Sequence, residues 1–123
     1  MVESFSAVAD FVCVYIAEAH PAETKHFGGN YDIRTHAGFD DRMAAAKIFV
    51  HEFDELLERK FASLKGVSIE VVVDSMEDDA NRKYAAMPER LFGIVDGRVG
   101  YVGDVGPYGY DIAQVEDWLR KFA

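Results

Sequence analysis

Two short apolar runs flank a long stretch of helical periodicity, and this alternation restricts the fold more than any other feature of the chain. Phe11-Val12-Cys13-Val14-Tyr15-Ile16 is β-branched and aromatic and reads as a strand buried on both faces. From Asp40 to Leu64 the period becomes 3.6, with Met43, Ile48, Phe53, Leu57 and Leu64 on an apolar stripe. Asp40 and Asp41 sit where a helix macrodipole favours negative charge, and Gly66 is a plausible stop. Val67-Ser68-Ile69-Glu70-Val71-Val72-Val73 reads as the second strand, closed by Asp74. Strands interleaved with helices indicate an α/β sheet.

The rest of the chain supports that reading. Residues 1–9 have roughly helical spacing and lead into the first strand. Glu77 to Ala86 reads as a short helix stopped by Pro88, because proline disfavours the helical conformation in the residue before it. Arg90 to Val95 is a strand, Asp96-Gly97 a two-residue hairpin turn, and Arg98 to Gly103 the returning strand. Asp111 caps a last helix, Ile112 to Phe122, with Val115, Trp118, Leu119 and Phe122 on one face. A proline before a hairpin and a C-terminal helix matches the second half of a thioredoxin-like fold, in which Pro88 would be cis. The segment from Glu18 to Gly38 has no clear period. At that length a connector is commonly functional or disordered.

Composition excludes several classes of function. The 123 residues suit one domain, and 22 acidic against 13 basic residues give a net charge of −9. A nucleic-acid partner needs a basic face to displace counterions, and an anionic membrane surface needs the same. The longest apolar run is about six residues, against roughly 20 for a membrane span. The first residues lack the basic and apolar regions of a signal peptide. The lone Cys13 excludes an internal disulfide and a cysteine zinc cage. These features favour an intracellular or redox-indifferent protein.

Particular residues carry more than the pattern. Tyr15-Ile16-Ala17-Glu18-Ala19-His20 resembles the strand-end motif of the iodothyronine deiodinases. Asp32-Ile33-Arg34-Thr35-His36, followed by Asp41-Arg42, resembles their second histidine segment. Val71-Val72-Val73-Asp74-Ser75-Met76 is similar to their next strand. Tyr84-Ala85-Ala86-Met87-Pro88-Glu89-Arg90-Leu91 resembles their proline loop. Gly97-Arg98 to Tyr101, then Gly106-Pro107-Tyr108-Gly109-Tyr110, resembles their closing hairpin and loop. These motifs are collinear over nearly the whole chain.

The resemblance implies a thioredoxin-like domain that removes iodine reductively from an iodothyronine, using a selenocysteine or cysteine and an external thiol reductant, with no bound cofactor. By resemblance Tyr15, Glu18 and His20 are catalytic, and His36 and Arg90 bind substrate. Ala17 stands where many members carry a first glutamate. The family's nucleophile precedes the segment that begins at Tyr15, and Cys13, inside a strand, is expected to be buried and inert. The alternative is a non-catalytic domain that binds an iodothyronine or another partner.

The residues themselves leave choices open. Glu18 and His20 are two apart, so on an extended chain they share a side, where the carboxylate would set the imidazole tautomer. They could equally form a surface pair. His20, His26 and His36 with Glu18 match no standard zinc spacing. Arg90 suits either a forked hydrogen bond to a substrate anion or an ion pair with Glu89 or Asp74. Tyr31, Tyr108, Tyr110 and Phe27 read as ordinary loop packing in preference to an aromatic slot. Asp78, Asp79 and Asp96 read as solvated or turn carboxylates. In a thioredoxin-like fold the first core strand, missing here, would lie between residues 11–16 and the hairpin. The chain would then close the gap by direct pairing, form a homodimer, or be poorly stable.

Overall fold

The computed structural model describes residues 1–24, 31–60 and 69–123, with 57–60 by backbone alone. The elements are α1 (Val2–Phe5), β1 (Val12–Tyr15), α2 (Phe39–Lys60), β2 (Glu70–Val73), α3 (Asp79–Tyr84), β3 (Phe92–Val95), β4 (Arg98–Val102) and α4 (Ile112–Leu119). A 3₁₀ turn, Arg120–Phe122, ends the chain. Helices and small sheets alternate, so the architecture is α/β. Among the described residues no helix is long and apolar enough to cross a membrane.

β1 and β2 pair in parallel, with Val12 opposite Glu70 and Tyr15 opposite Val73. Parallel neighbours need a crossover, which α2 provides. Met43, Ala46 and Val50 of α2 stand against Val71 and Val73 of β2. The Tyr15 ring lies 5.9 Å from that of Phe49. Among the described residues only this face of the sheet is covered. Cys13 and Tyr15 are half-buried, whereas Val12 is 55% and Val14 43% exposed. The expectation of a strand buried on both faces is therefore corrected: α2 covers one face, and no described residue buries the other.

The helix expected over Asp40–Leu64 runs over Phe39–Lys60. Asp41 reaches back to accept from the Ala37 N–H at 2.9 Å, securing its start. Phe61, Leu64, Gly66, Val67 and Ser68 lie outside the described residues. α3 is shorter than the Glu77–Ala86 expectation because Asp78 (φ 54°) and Ala85 (φ 48°) both adopt the left-handed conformation and bound it. Its open N–H groups are not capped by Asp78. Asp74 caps them from the end of β2, accepting from Ala80 N at 2.8 Å and Asn81 N at 2.9 Å.

β3 and β4 form an antiparallel hairpin with an irregularity at Gly93/Ile94. Asp96 and Gly97 both have positive φ (51° and 72°), as a type I′ turn requires. The strand begins at Phe92 and not at Arg90, whose side chain is used to tie the preceding loop. Met87–Pro88 is cis, as is Gly106–Pro107. Asp111 accepts from Ala113 N at 2.9 Å and starts α4. α4 lays Trp118 over Gly93 and Gly100 of the hairpin. Phe5, Val115 and Leu119 are the buried centre, with Phe11, Leu91 and Tyr101 packed around it.

The two sheets have two strands each and share no strand among the described residues. Direct pairing of the first strand with the hairpin, one of the three expected outcomes, does not occur among them.

Candidate functional site

β1 delivers Tyr15 at its C-terminal end, and the chain then bends through residues 17–20. Glu18 and His20 therefore lie beyond the strand, in the bent segment. The Tyr15 hydroxyl donates to Glu18 Oε1. His36 arrives from the segment before α2, its ring centroid 6.2 Å from that of Tyr15. Its Nε2 stands 3.9 Å from the same Glu18 oxygen, and its side chain is only 3% exposed. His20 is exposed, and His26 lies outside the described residues. Of the five residues the sequence proposes, the structure brings Tyr15, Glu18 and His36 together.

Behind His36 stands Arg42, in the first turn of α2 and 3% exposed. Its Nε donates to His36 Nδ1 at 3.2 Å. Its Nη1 reaches Asp78 Oδ1 at 3.0 Å and the carbonyls of Asp74 and Ser75. A buried charge costs several kcal/mol unless it is paired and hydrogen-bonded, and this one is both. Asp78 is thus no idle surface carboxylate, which corrects the sequence reading: it holds the guanidinium beside the histidine. Arg42 and Asp74 are the site-supporting residues that sequence reasoning missed. One signal was available, since an arginine in the first turn opposes the helix macrodipole and needs another reason to be there.

The surroundings set protonation states. Burial pushes the Tyr15 hydroxyl well above the ordinary tyrosine range, the Glu18 hydrogen bond and charge add to it, and Arg42 opposes. Burial pulls His36 below its ordinary value, and the Arg42 charge does the same against the weaker pull of Glu18, Asp41 and Asp78. Burial pulls Asp74 upward, but the N–H groups of Asn81, Ala80 and Ser75, with Arg42, hold its carboxyl below the ordinary range. Burial pushes the Cys13 thiol up, which disfavours the nucleophilic thiolate.

Arg90 lies in a second cluster. Its Nε donates to Gly103 O at 2.7 Å and its Nη1 to Tyr84 O and Ala85 O at 3.3 and 3.4 Å. Its guanidinium carbon stands 5.3 Å from the Phe92 ring centre. Neither anticipated ion pair, with Glu89 or with Asp74, forms among the described residues. Arg90 braces the proline loop against the end of β4. The described aromatics assemble no slot: Tyr108 is fully exposed and not packed, Tyr31 donates to Glu52, and Phe27 is outside the described residues.

Comparison with known proteins bears on this geometry. The family model described as iodothyronine deiodinase matches residues 1–123. The chain is 36% identical over 121 residues to a type I iodothyronine deiodinase of Xenopus laevis, covering 98% of this chain and 43% of that protein. It is 37% identical over 125 residues to a type II iodothyronine deiodinase of Rattus norvegicus, covering 98% and 43%. It is 35% identical over 123 residues to a thyroxine 5-deiodinase of Sparus aurata, covering 99% and 41%. The chain thus spans less than half the length of these relatives, and with a match along all its residues it belongs to the iodothyronine deiodinase family.

Proposed function

We propose that these residues serve reductive deiodination of an iodothyronine-type substrate, with the nucleophile, a selenocysteine or cysteine, supplied from outside them. The observation that carries this reading is the cluster of Tyr15, Glu18 and His36 at the end of β1, in a chain of this family. The raised pKa of Cys13 is the reason to look elsewhere for the nucleophile. The reading includes a thioredoxin-like arrangement in which one further strand, also from outside these residues, joins β1 to the hairpin.

In this mechanism the selenolate or thiolate attacks the substrate iodine. The carbon–iodine bond breaks, its electron pair stays on the ring carbon, and that carbon takes one proton. Glu18 and Tyr15 share a hydrogen bond at the site of that proton transfer, in which His20, two residues beyond Glu18, takes part. His36 and Arg90 orient the substrate, the latter through the guanidinium nitrogen that no described carbonyl occupies. Two external thiols then reduce the nucleophile–iodine bond, giving a disulfide, iodide, two protons and the regenerated anion.

One observation favours the second reading, a non-catalytic iodothyronine-binding domain: Cys13 is the only cysteine of the chain and is a poor nucleophile. The test is iodide release from labelled iodothyronine with excess dithiothreitol. It is run on the 123 residues and on whatever longer product the in-frame transcript encodes, reading through any TGA. Release by the longer product alone is expected. Binding by both without release establishes the second reading, and absence of binding by either overturns both.

A further inference from the structure

We propose that Arg42 is a positioning residue that locks His36 in the neutral tautomer with its proton on Nε2, so that His36 meets its ligand as a hydrogen-bond donor. The inference deepens the reading of the Tyr15–Glu18–His36 site and rests on it for the ligand, but not for the tautomer.

The argument begins with hydrogen-bonding capacity. A guanidinium has donors only and is protonated at every relevant pH. Arg42 Nε lies 3.2 Å from His36 Nδ1 with donor geometry. Nδ1 must therefore present its lone pair. In a neutral imidazole the single proton is then on Nε2. Protonating the ring would place a second N–H on Nδ1, facing the N–H of a cation. Arg42 cannot easily withdraw, because Asp78 and the carbonyls of Asp74 and Ser75 hold its Nη1.

The other nitrogen supplies an independent observation. His36 Nε2 is buried and has no hydrogen-bond partner among the described residues. It lies 3.9 Å from Glu18 Oε1, too far for a hydrogen bond, and that oxygen already accepts from Tyr15. A buried donor left unmatched carries its full desolvation penalty, so such a group is commonly kept for a ligand. A donor selects an acceptor: a phenol or phenolate oxygen, or a carbonyl. It does not take a proton from its ligand. The groups facing His36 are Tyr15 at the end of β1, Glu18 after it, Asp41 and Arg42 of α2, and Asp78 before α3. The three carboxylates favour the cation; burial and Arg42 oppose it and prevail.

The experiment is a long-range proton–nitrogen correlation spectrum of the ¹⁵N-histidine-labelled chain across a pH series, with His36 assigned by its loss in His36→Gln. The expected result is protonated Nε2, unprotonated Nδ1, and no titration at the ordinary value of about 6.5. A proton on Nδ1, or titration at the ordinary value, overturns the proposal. Arg42→Lys keeps the charge and removes the Nε–H, so His36 is expected to sample both tautomers. A folded Arg42→Lys chain with the tautomer unchanged overturns it as well. Should that variant not fold, the native spectrum alone decides. Iodothyronine titrated into the same sample tests the site separately: failure to shift the Nε2 resonance removes the reading of the ligand, and leaves the tautomer standing.

Discussion

At the scale of single residues, protonation links this site to stability. His36 is held below its ordinary value in the folded chain, so below about pH 6.5 the unfolded chain binds a proton that the folded chain refuses. Stability is therefore expected to fall as the pH drops below that value, until the folded histidine also titrates. Asp74 is also depressed, and its contribution is present above the ordinary carboxylate range and lost at lower pH. Urea unfolding at pH 7.5, 6.0 and 5.0 checks this. The native chain should lose stability across the series, whereas His36→Gln should lose less. Equal slopes for both chains would contradict the assignment.

At the scale of elements, local chemistry explains most of what formed. The Asp96-Gly97 turn and the Asp111 cap are encoded within a few residues, and both stand where the sequence places them. The ends of α3 are different. They depend on Asp74, which closes the preceding strand and caps the helix from outside it, and on two left-handed residues that no helical period reveals. Packing of α4 on the hairpin depends on the absence of a side chain at Gly93, where an added Cβ would enter the Trp118 ring. At Gly100 the same Cβ would stand 3.2 Å from Trp118. Gly93→Ala is expected to cost about 1–3 kcal/mol by overpacking, and Gly100→Ala less. Thermal unfolding followed by Trp118 fluorescence ranks the two; the reverse order would show that Trp118 relocates freely.

At the scale of the whole molecule, the described residues leave the sheets partly uncovered. Parallel strands are normally covered on both faces, and two-stranded sheets are marginal alone. Here Val12, Val14 and Val72 are exposed on the uncovered face of β1–β2. Every described strand is an edge, and unpaired edges invite other chains. The 123-residue chain is expected to self-associate or to unfold at low urea. Sedimentation velocity over a hundredfold concentration range, with a urea titration, checks this. A single monomer species with a high unfolding midpoint would refute it. The net charge of −9 opposes association at low salt, so added salt should promote it.

The sequence by itself determined the order of elements, the hairpin turn, the last helix and its cap, and the membership carried by the collinear motifs. These rest on interactions within a few residues of each other or on residue identity alone, and so are legible in one dimension. Tertiary structure decided that the His36 imidazole faces Glu18. The chain leaves β1 in bends, so spacing along an extended strand does not apply, and the fold brings His36 Nε2 to 3.9 Å from Glu18 Oε1. It also decided that Arg42, Asp78 and Asp74 support the site, because a buried guanidinium gathers acceptors from wherever the fold supplies them. Finally, it decided that one face of β1 stays open among the described residues: burial is a property of neighbours in space, and an apolar run records only the capacity to be buried.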